Sequence, residues 1–315
     1  MAENAISLPD QNEQSSTWPE CPAPHPDNWT LAHKICTTQA LVSQDEHVVI
    51  IHLTSGWSSN DVFKVSFPHR TYANKYIVKL PHEARSPSAK AECRDEALRT
   101  SWAHRHGLGP RMVTVDDESG GFAMECVEGT TLSSKLARQH LPPLMTLLRN
   151  MHRAPSVRWM QQYDPVAVVA GYLDQVKSQN TMSPEDIRLV DTVLQRTKTA
   201  VKGHPKTPCH NDFHCQNIML TQTPSGGSEL TAIDFENCGM GDPMWDVAYL
   251  TVNLGLQETP LALANLYGVN DFGCTRVRAY VLLAMCHCAT WAAARGEAWR
   301  AHHKDVMVKL KKALE

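Results

Sequence analysis

Two short runs constrain this chain more than any other feature. The first is Cys209-His210-Asn211-Asp212-Phe213-His214-Cys215-Gln216-Asn217, an H-x-D-x-x-x-x-N pattern. The second, Ile233-Asp234-Phe235-Glu236, places Asp234 seventeen residues after Asn217 at the end of a strand-like Leu230–Ile233 segment. Two neighbouring turns of this kind can bring two carboxylates and one carboxamide together, the apparatus that phosphoryl transfer requires. Asp212 is the candidate catalytic residue, since a carboxylate beside the attacking oxygen can orient a hydroxyl and take its proton. Asn217 offers a neutral hard oxygen and Asp234 a charged one, a pair suited to Mg²⁺ on nucleotide phosphates. His210 reads as a hydrogen-bonding tie of the loop rather than a chemical participant.

At these residues the chain resembles the choline/ethanolamine kinase and aminoglycoside phosphotransferase superfamily, a relative of the protein kinases. His210-Asn211-Asp212 leans to the choline kinase side, because many antibiotic kinases read H-G-D there. Glu236 stands where protein kinases have the glycine of D-F-G, and no A-P-E segment follows, so a protein kinase is disfavoured. The resemblance extends from about Val48 to Trp299. It implies an α+β, bilobal protein-kinase-like fold: a small antiparallel-sheet lobe with one key helix, then a larger, mainly helical lobe. It also implies ATP and Mg²⁺ as cofactors.

Upstream, His47–Leu53 and Val62–Phe67 read as strands around a small polar turn that could present N–H groups to phosphates. The turn resembles the G-x-S-N of choline kinase-like enzymes, with Gly56, Ser59 and Asn60 near the matching places. Lys75–Leu80 is a third strand, whose alternation puts Lys79 on the Ile77 face, directed into the lobe. A buried lysine needs partners. Nucleotide phosphates and a carboxylate on the Ser88–His106 helix are the expected ones. In choline kinases the paired glutamate stands twelve residues before the Leu of G/S-L-G-P. Counting back from Leu108 in Gly107-Leu108-Gly109-Pro110 gives Glu96, with Glu92 one turn away as runner-up. The superfamily reads the adenine edge with linker backbone, here Glu125 to Val127.

The resulting division is a Pro-rich flexible arm (1–28), a nucleotide-binding lobe (29–127) and a catalytic and acceptor-binding lobe (128–315). Helical patterns fill 141–204, with a start at Ser183-Pro184, and recur over 260–267, 271–294 and 298–314. Gly241-Asp242-Pro243-Met244-Trp245-Asp246-Val247-Ala248 looks like the G-D-P-x-x-D-L-A run of antibiotic kinases. Asp246 is expected to brace the catalytic loop, and Asp242 to cap the following helix. Choline kinase-like enzymes hold an alkylammonium group in an aromatic and acidic pocket built partly from late helices. Trp245, Tyr249, Trp291 and Glu236 are the candidates here, and the sequence leaves open whether Glu236 meets metal or acceptor.

Hydrophobic content of 42% and a net charge of −3 fit an ordinary globular chain and give no electrostatic case for nucleic acid. Ten scattered cysteines and a polar, acidic start suggest reduced thiols and a cytoplasmic protein. No run reads as a membrane span. The expected activity is phosphoryl transfer from ATP to a small-molecule hydroxyl: an amino alcohol first, an aminoglycoside or other hydroxylated metabolite second. A non-catalytic nucleotide-binding scaffold is the competing class. Decay of that kind removes the lysine or an essential acid, and Lys79, Asp212, Asn217 and Asp234 all stand.

Overall fold

The computed structural model describes residues 23–38, 48–53, 60–67, 75–82, 86–223 and 226–314. Gly56, Ser59 and the greater part of the Pro-rich arm lie outside them. Helix α1 (Asn28–Thr38) precedes a five-stranded antiparallel sheet of β1 (Val49–His52), β2 (Asn60–Ser66), β3 (Tyr76–Pro81), β4 (Met112–Val115) and β5 (Phe122–Glu125), in the order β1-β2-β3-β5-β4. Helix α2 (Pro87–Arg105) crosses between β3 and β4.

Strand alternation decides what this lobe does with its lysine. On β3, Tyr76, Val78 and Leu80 pack with Ile35, Phe63 and Val65 in a core shared with α1. Ile77 faces the other way, with Cys93 and Ala97 of α2, Phe122 and Met124. Lys79 shares the Ile77 face and so points at α2. That helix begins at Pro87 behind Ser86, whose hydroxyl accepts the Ala89 N–H at 3.5 Å. Residues 23–28, expected as the end of a loose arm, are instead fixed: Asp61 accepts hydrogen bonds from the His25 N–H (2.9 Å) and Asn28 Nδ2 (2.8 Å).

The second lobe opens with β6 (Thr130–Thr131), α3 (Ser134–Gln139), α4 (Leu141–Arg153), α5 (Pro165–Gln179) and α6 (Pro184–Ala200). Short strands follow: β7 (Thr207–Cys209), β8 (Ile218–Gln222), β9 (Ser228–Ala232) and β10 (Gly239–Gly241). They form a β6-β8-β9 ribbon and a β7-β10 pair, which carry the two motif turns between them. The chain closes with α7 (Pro243–Asn253), α8 (Ala262–Tyr267), α9 (Asp271–Ala294) and α10 (Arg300–Leu314). Ser183 caps α6 and Asp242 caps α7, each followed by the proline that opens the helix.

Helix α9 is the axis of this lobe, with α5, α6, α7 and α10 around it. By length and composition it could cross a membrane, which corrects the expectation that no run reads that way. Its buried residues, among them Tyr280, Leu283, Met285 and Ala289, belong to the main core. The apolar character serves packing on several sides at once.

Candidate active site

The floor of the site is Asp246, fully buried in the first turn of α7. It accepts the His210 N–H at 2.9 Å and the Asn211 N–H at 2.8 Å. His152 Nε2, on α4, lies 2.9 Å from the same carboxylate, and its Nδ1 meets the Tyr267 hydroxyl at 2.7 Å. Trp245 Nε1 donates to the Asn211 carbonyl (3.0 Å), and Asn211 Nδ2 donates to the Asn237 carbonyl (2.8 Å). So pinned, Asn211 adopts φ 65°, a left-handed conformation that Asn tolerates better than most residues. A Cβ at Gly241 would collide with Asn211 Oδ1, so the close approach of β10 requires glycine there.

His210 turns its ring the other way, bonding the Ile233 carbonyl through Nε2 at 3.0 Å. The Ile233 N–H in turn donates to the Asn217 carbonyl at 2.9 Å. These two bonds lock the motifs side by side and set Asp234 next to Asn217. Asp234 also has positive φ (66°), and only Asn180 and Asn211 share this among the described non-glycine residues. Two of the three strained positions therefore flank the site.

Asp212 emerges from this base. Asn217 Nδ2 donates to its carbonyl (3.0 Å) and to Oδ2 (3.1 Å), which leaves the amide oxygen of Asn217 as the atom for another ligand. His214 Nε2 stands 3.6 Å from Asp212 Oδ2. Burial works to raise the Asp212 pKa, yet His214, with His210 and His287, more than offsets it and holds the carboxyl below its usual range. Asp212 is thus ionised at neutral pH.

Across the cleft, Lys79 pairs with the buried Glu96, and its Nζ lies 2.7 Å from Asp234 Oδ1. Burial opposes its charge, but Asp234 and Glu96 win and raise its pKa. Glu92, the alternative partner, is exposed. Asn60, expected at the phosphate turn, donates its amide to Glu96 (3.0 Å) and so helps fix the lysine's partner. Arg99, one turn beyond Glu96, donates to the Glu236 carbonyl and ties α2 to the second motif.

Carboxylate oxygens of Glu96, Asp234 and Glu236 lie within 4.8 Å of one another. Burial first, then Asp234 and Glu96, push the Glu236 pKa up to about 8. Three acids this close are the donor set of a hard cation. Glu96 is engaged with Lys79 and Asn60, whereas the Asp234 carboxylate is partly exposed and stands beside Asn217, whose amide oxygen is not used in its bonds to Asp212. At the linker, the Glu125 N–H bonds the Arg111 carbonyl and the Cys126 N–H bonds the Lys75 carbonyl, both at their usual lengths (2.9 and 2.8 Å). The Val127 N–H has no hydrogen-bond partner among the described residues.

The aromatic candidates divide. Trp245 is fully buried and braces the catalytic loop from beneath, so it lines no pocket. Its length is what reaches the Asn211 carbonyl. Tyr249 packs 5.4 Å from the His287 ring and 6.2 Å from His214, beside Asp212. Tyr172 packs edge-on with His287 at 5.5 Å. Burial lowers the His287 pKa to about 4, leaving it neutral. Trp291 stacks edge-on against Trp299 (4.5 Å), and the Arg295 guanidinium covers its face at 3.9 Å. The sequence alone assigns no role to Arg99, His152, Tyr172, His214, His287 or Arg295.

A small sheet-bearing lobe with a lysine–glutamate pair, stacked on a helical lobe with an Asp/Asn/Asp cluster, is a kinase-like architecture. Residues 50–280 match the model of the phosphotransferase enzyme family, and the chain belongs to that family. Solved structures agree in fold. A choline/ethanolamine kinase family protein from Mesorhizobium loti superposes with TM-score 0.70 at 19% identity, covering 91% of this chain and 95% of its own. Choline kinase LicA from Streptococcus pneumoniae gives 0.69 at 20% identity (91% and 98% covered). The wild-type aminoglycoside 2'-phosphotransferase-IIIa, solved as its GDP complex, gives 0.66 at 14% identity (91% and 100% covered). Among curated protein sequences, none matches the chain.

Proposed function

We propose that this phosphotransferase uses ATP with Mg²⁺ and delivers the γ-phosphoryl group to a hydroxyl of a small amino alcohol. The observation that carries the reading is the placement of Lys79: a buried lysine held between Glu96 and Asp234 keeps its charge and faces the cleft where phosphates would lie. Asp234, Asn217 and Glu236 supply oxygen donors that fit Mg²⁺. When bound there, the ion would neutralise phosphate charge. The Val127 N–H, without a partner among the described residues, suits an adenine edge, with the neighbouring Glu125 carbonyl as the acceptor.

The chain's own groups account for the transfer. Asp212, ionised and positioned by the Asn217 amide, aligns the acceptor hydroxyl and takes its proton as the bond to phosphorus forms. Lys79 offsets the negative charge on the triphosphate, and Asp246 holds the loop so that neither carboxylate drifts. Catalysis of this kind is positioning plus charge stabilisation. The amino group of the acceptor finds its complement in the carboxylate of Asp212 and in the ring of Tyr249 beside it.

ADP release with MgATP against a panel of amino alcohols, carboxylated ones included, and aminoglycosides tests the reading. Amino alcohols are expected to raise the rate well above MgATP hydrolysis alone. Acceleration by aminoglycosides only would move the acceptor class. Nucleotide binding with no acceleration by any acceptor would identify a scaffold and overturn the assignment.

A further inference from the structure

A chain of hydrogen bonds runs from the catalytic loop to a helix that carries neither motif. Asp246 accepts the Asn211 N–H through Oδ1 and the His210 N–H through Oδ2. His152, buried on α4, meets Oδ2 with Nε2 at 2.9 Å, and its Nδ1 meets the Tyr267 hydroxyl at 2.7 Å. Tyr267 is the last residue of α8, which packs against α4 and α7.

The chemistry of the ring gives this chain a direction. A carboxylate only accepts, so the His152 nitrogen facing Asp246 carries a proton. Which ring nitrogen is protonated is set by the bond that the other one makes. At 2.7 Å the Tyr267 contact has the length of an O–H donor, whereas N–H donors favour about 2.9–3.0 Å. Burial, with Cys209 and Asp246 nearby, pushes the Tyr267 pKa up to about 12, so the hydroxyl keeps its proton. That proton finds a lone pair on Nδ1 only when the ring hydrogen sits on Nε2. Without the hydroxyl the other tautomer becomes accessible, and its Nε2 lone pair would face the Asp246 oxygen. The contact that steadies the loop amides would then turn repulsive.

Tyr267 is itself held in place. Arg149, three residues before His152 on the same face of α4, donates to the Leu266 carbonyl at 2.9 Å and the Tyr267 carbonyl at 3.4 Å. Gly268, at φ 86°, closes α8 with its N–H on the Ala264 and Asn265 carbonyls. One face of α4 therefore grips the end of α8 by backbone and by side chain.

We propose that Tyr267 is a positioning residue for phosphoryl transfer: its hydroxyl selects the His152 tautomer that donates to Asp246, and so steadies the loop that carries Asp212. The assignment rests on the phosphotransfer reading above and adds to it a residue outside both motifs. It acts on the geometry of the reacting groups, so its effect belongs to kcat rather than to binding.

Tyr267→Phe keeps the ring and removes only the hydroxyl. MgATP turnover is followed with the fastest amino alcohol of the panel, or with water where none accelerates it. The variant is expected to lose about three- to tenfold in kcat, with KM for MgATP within about twofold of wild type. Long-range proton–nitrogen NMR should show His152 protonated at Nε2 alone in the wild type and mixed tautomers in Tyr267→Phe, with His152→Gln identifying the resonances by their loss. The Gln amide has no tautomer to select, so adding Tyr267→Phe to His152→Gln is expected to cost no further turnover. An unchanged kcat in Tyr267→Phe, losses that add in the double variant, or wild-type His152 protonated at Nδ1 would each overturn the proposal. Where a thermal melt shows a variant unfolded, the wild-type spectrum still decides. A wild type that binds MgATP and turns it over with no acceptor and with no water would instead overturn the phosphotransfer reading.

Discussion

The two ends of the cleft are built on opposite plans. At the nucleotide end one lysine is gripped by carboxylates, with Lys79 between Glu96 and Asp234 and Glu236 close by. Toward α9 one arginine is laid on a ring, with Arg295 over Trp291, and Tyr172, His287 and Tyr249 lead back toward Asp212. The first arrangement leaves net negative charge, which suits a metal and through it a polyphosphate. The second is largely neutral and aromatic, and such a wall discriminates by shape more than by charge. A phosphotransferase can therefore keep its first end fixed while the second changes with the acceptor.

Asp212→Asn is the sharpest way to break the first half of this contrast. Turnover is expected to fall by about 10²–10⁴, read by ADP release, while MgATP affinity by titration calorimetry stays near wild type. Unchanged turnover would remove Asp212 from the chemistry. Lys79→Met leaves Glu96 and Asp234 as uncompensated buried charge, and removing one member of a buried pair costs about 3–5 kcal/mol. Denaturant unfolding should show that loss, and added Mg²⁺ should restore part of it by occupying the acids.

At the acceptor end the effect is smaller and depends on pH. The folded protein keeps His287 neutral down to about 4, whereas the unfolded chain protonates it near 6.5. Between those values unfolding binds a proton, so falling pH destabilises the fold, by at most ~1.4 kcal/mol per pH unit. His214, whose pKa Asp212 raises against burial, acts with the opposite sign. The informative quantity is therefore the difference: His287→Gln should melt with a flatter pH dependence than wild type between about 6.5 and about 4. Smallest is Trp245→Phe, which removes the bond to the Asn211 carbonyl. About 1 kcal/mol of stability should be lost, with a modest drop in kcat as the loop loosens.

The legibility of the sequence follows the same divide. Asp212, Asn217 and Asp234 sit in contiguous motifs, so local spacing alone puts them in one place. Lys79 was legible from strand parity, and Glu96 through its distance to Leu108. Helix starts at Ser183-Pro184 and Asp242-Pro243 were legible because capping is local. The acceptor end was not. Tyr172, His287 and Arg295 come from α5 and α9, and only helix packing decides which of their faces meet. An aromatic count cannot tell a brace such as Trp245 from a wall such as Tyr249. Asn60 was placed at the phosphate turn, and its bond to Glu96, set by how β2 lies against α2, has no local signature in the sequence. The short strands β6 and β10 carry too few residues for any period to show.

The account rests on Asp234 and Asn217 sharing one metal beside the nucleotide. Crystals grown with Mn²⁺ and a non-hydrolysable ATP analogue would test this directly through anomalous scattering. The expected result is a peak within coordination distance of an Asp234 carboxylate oxygen and of Asn217 Oδ1, with Lys79 on the phosphates. Bound nucleotide with no peak there, or a peak held by other side chains, would contradict it.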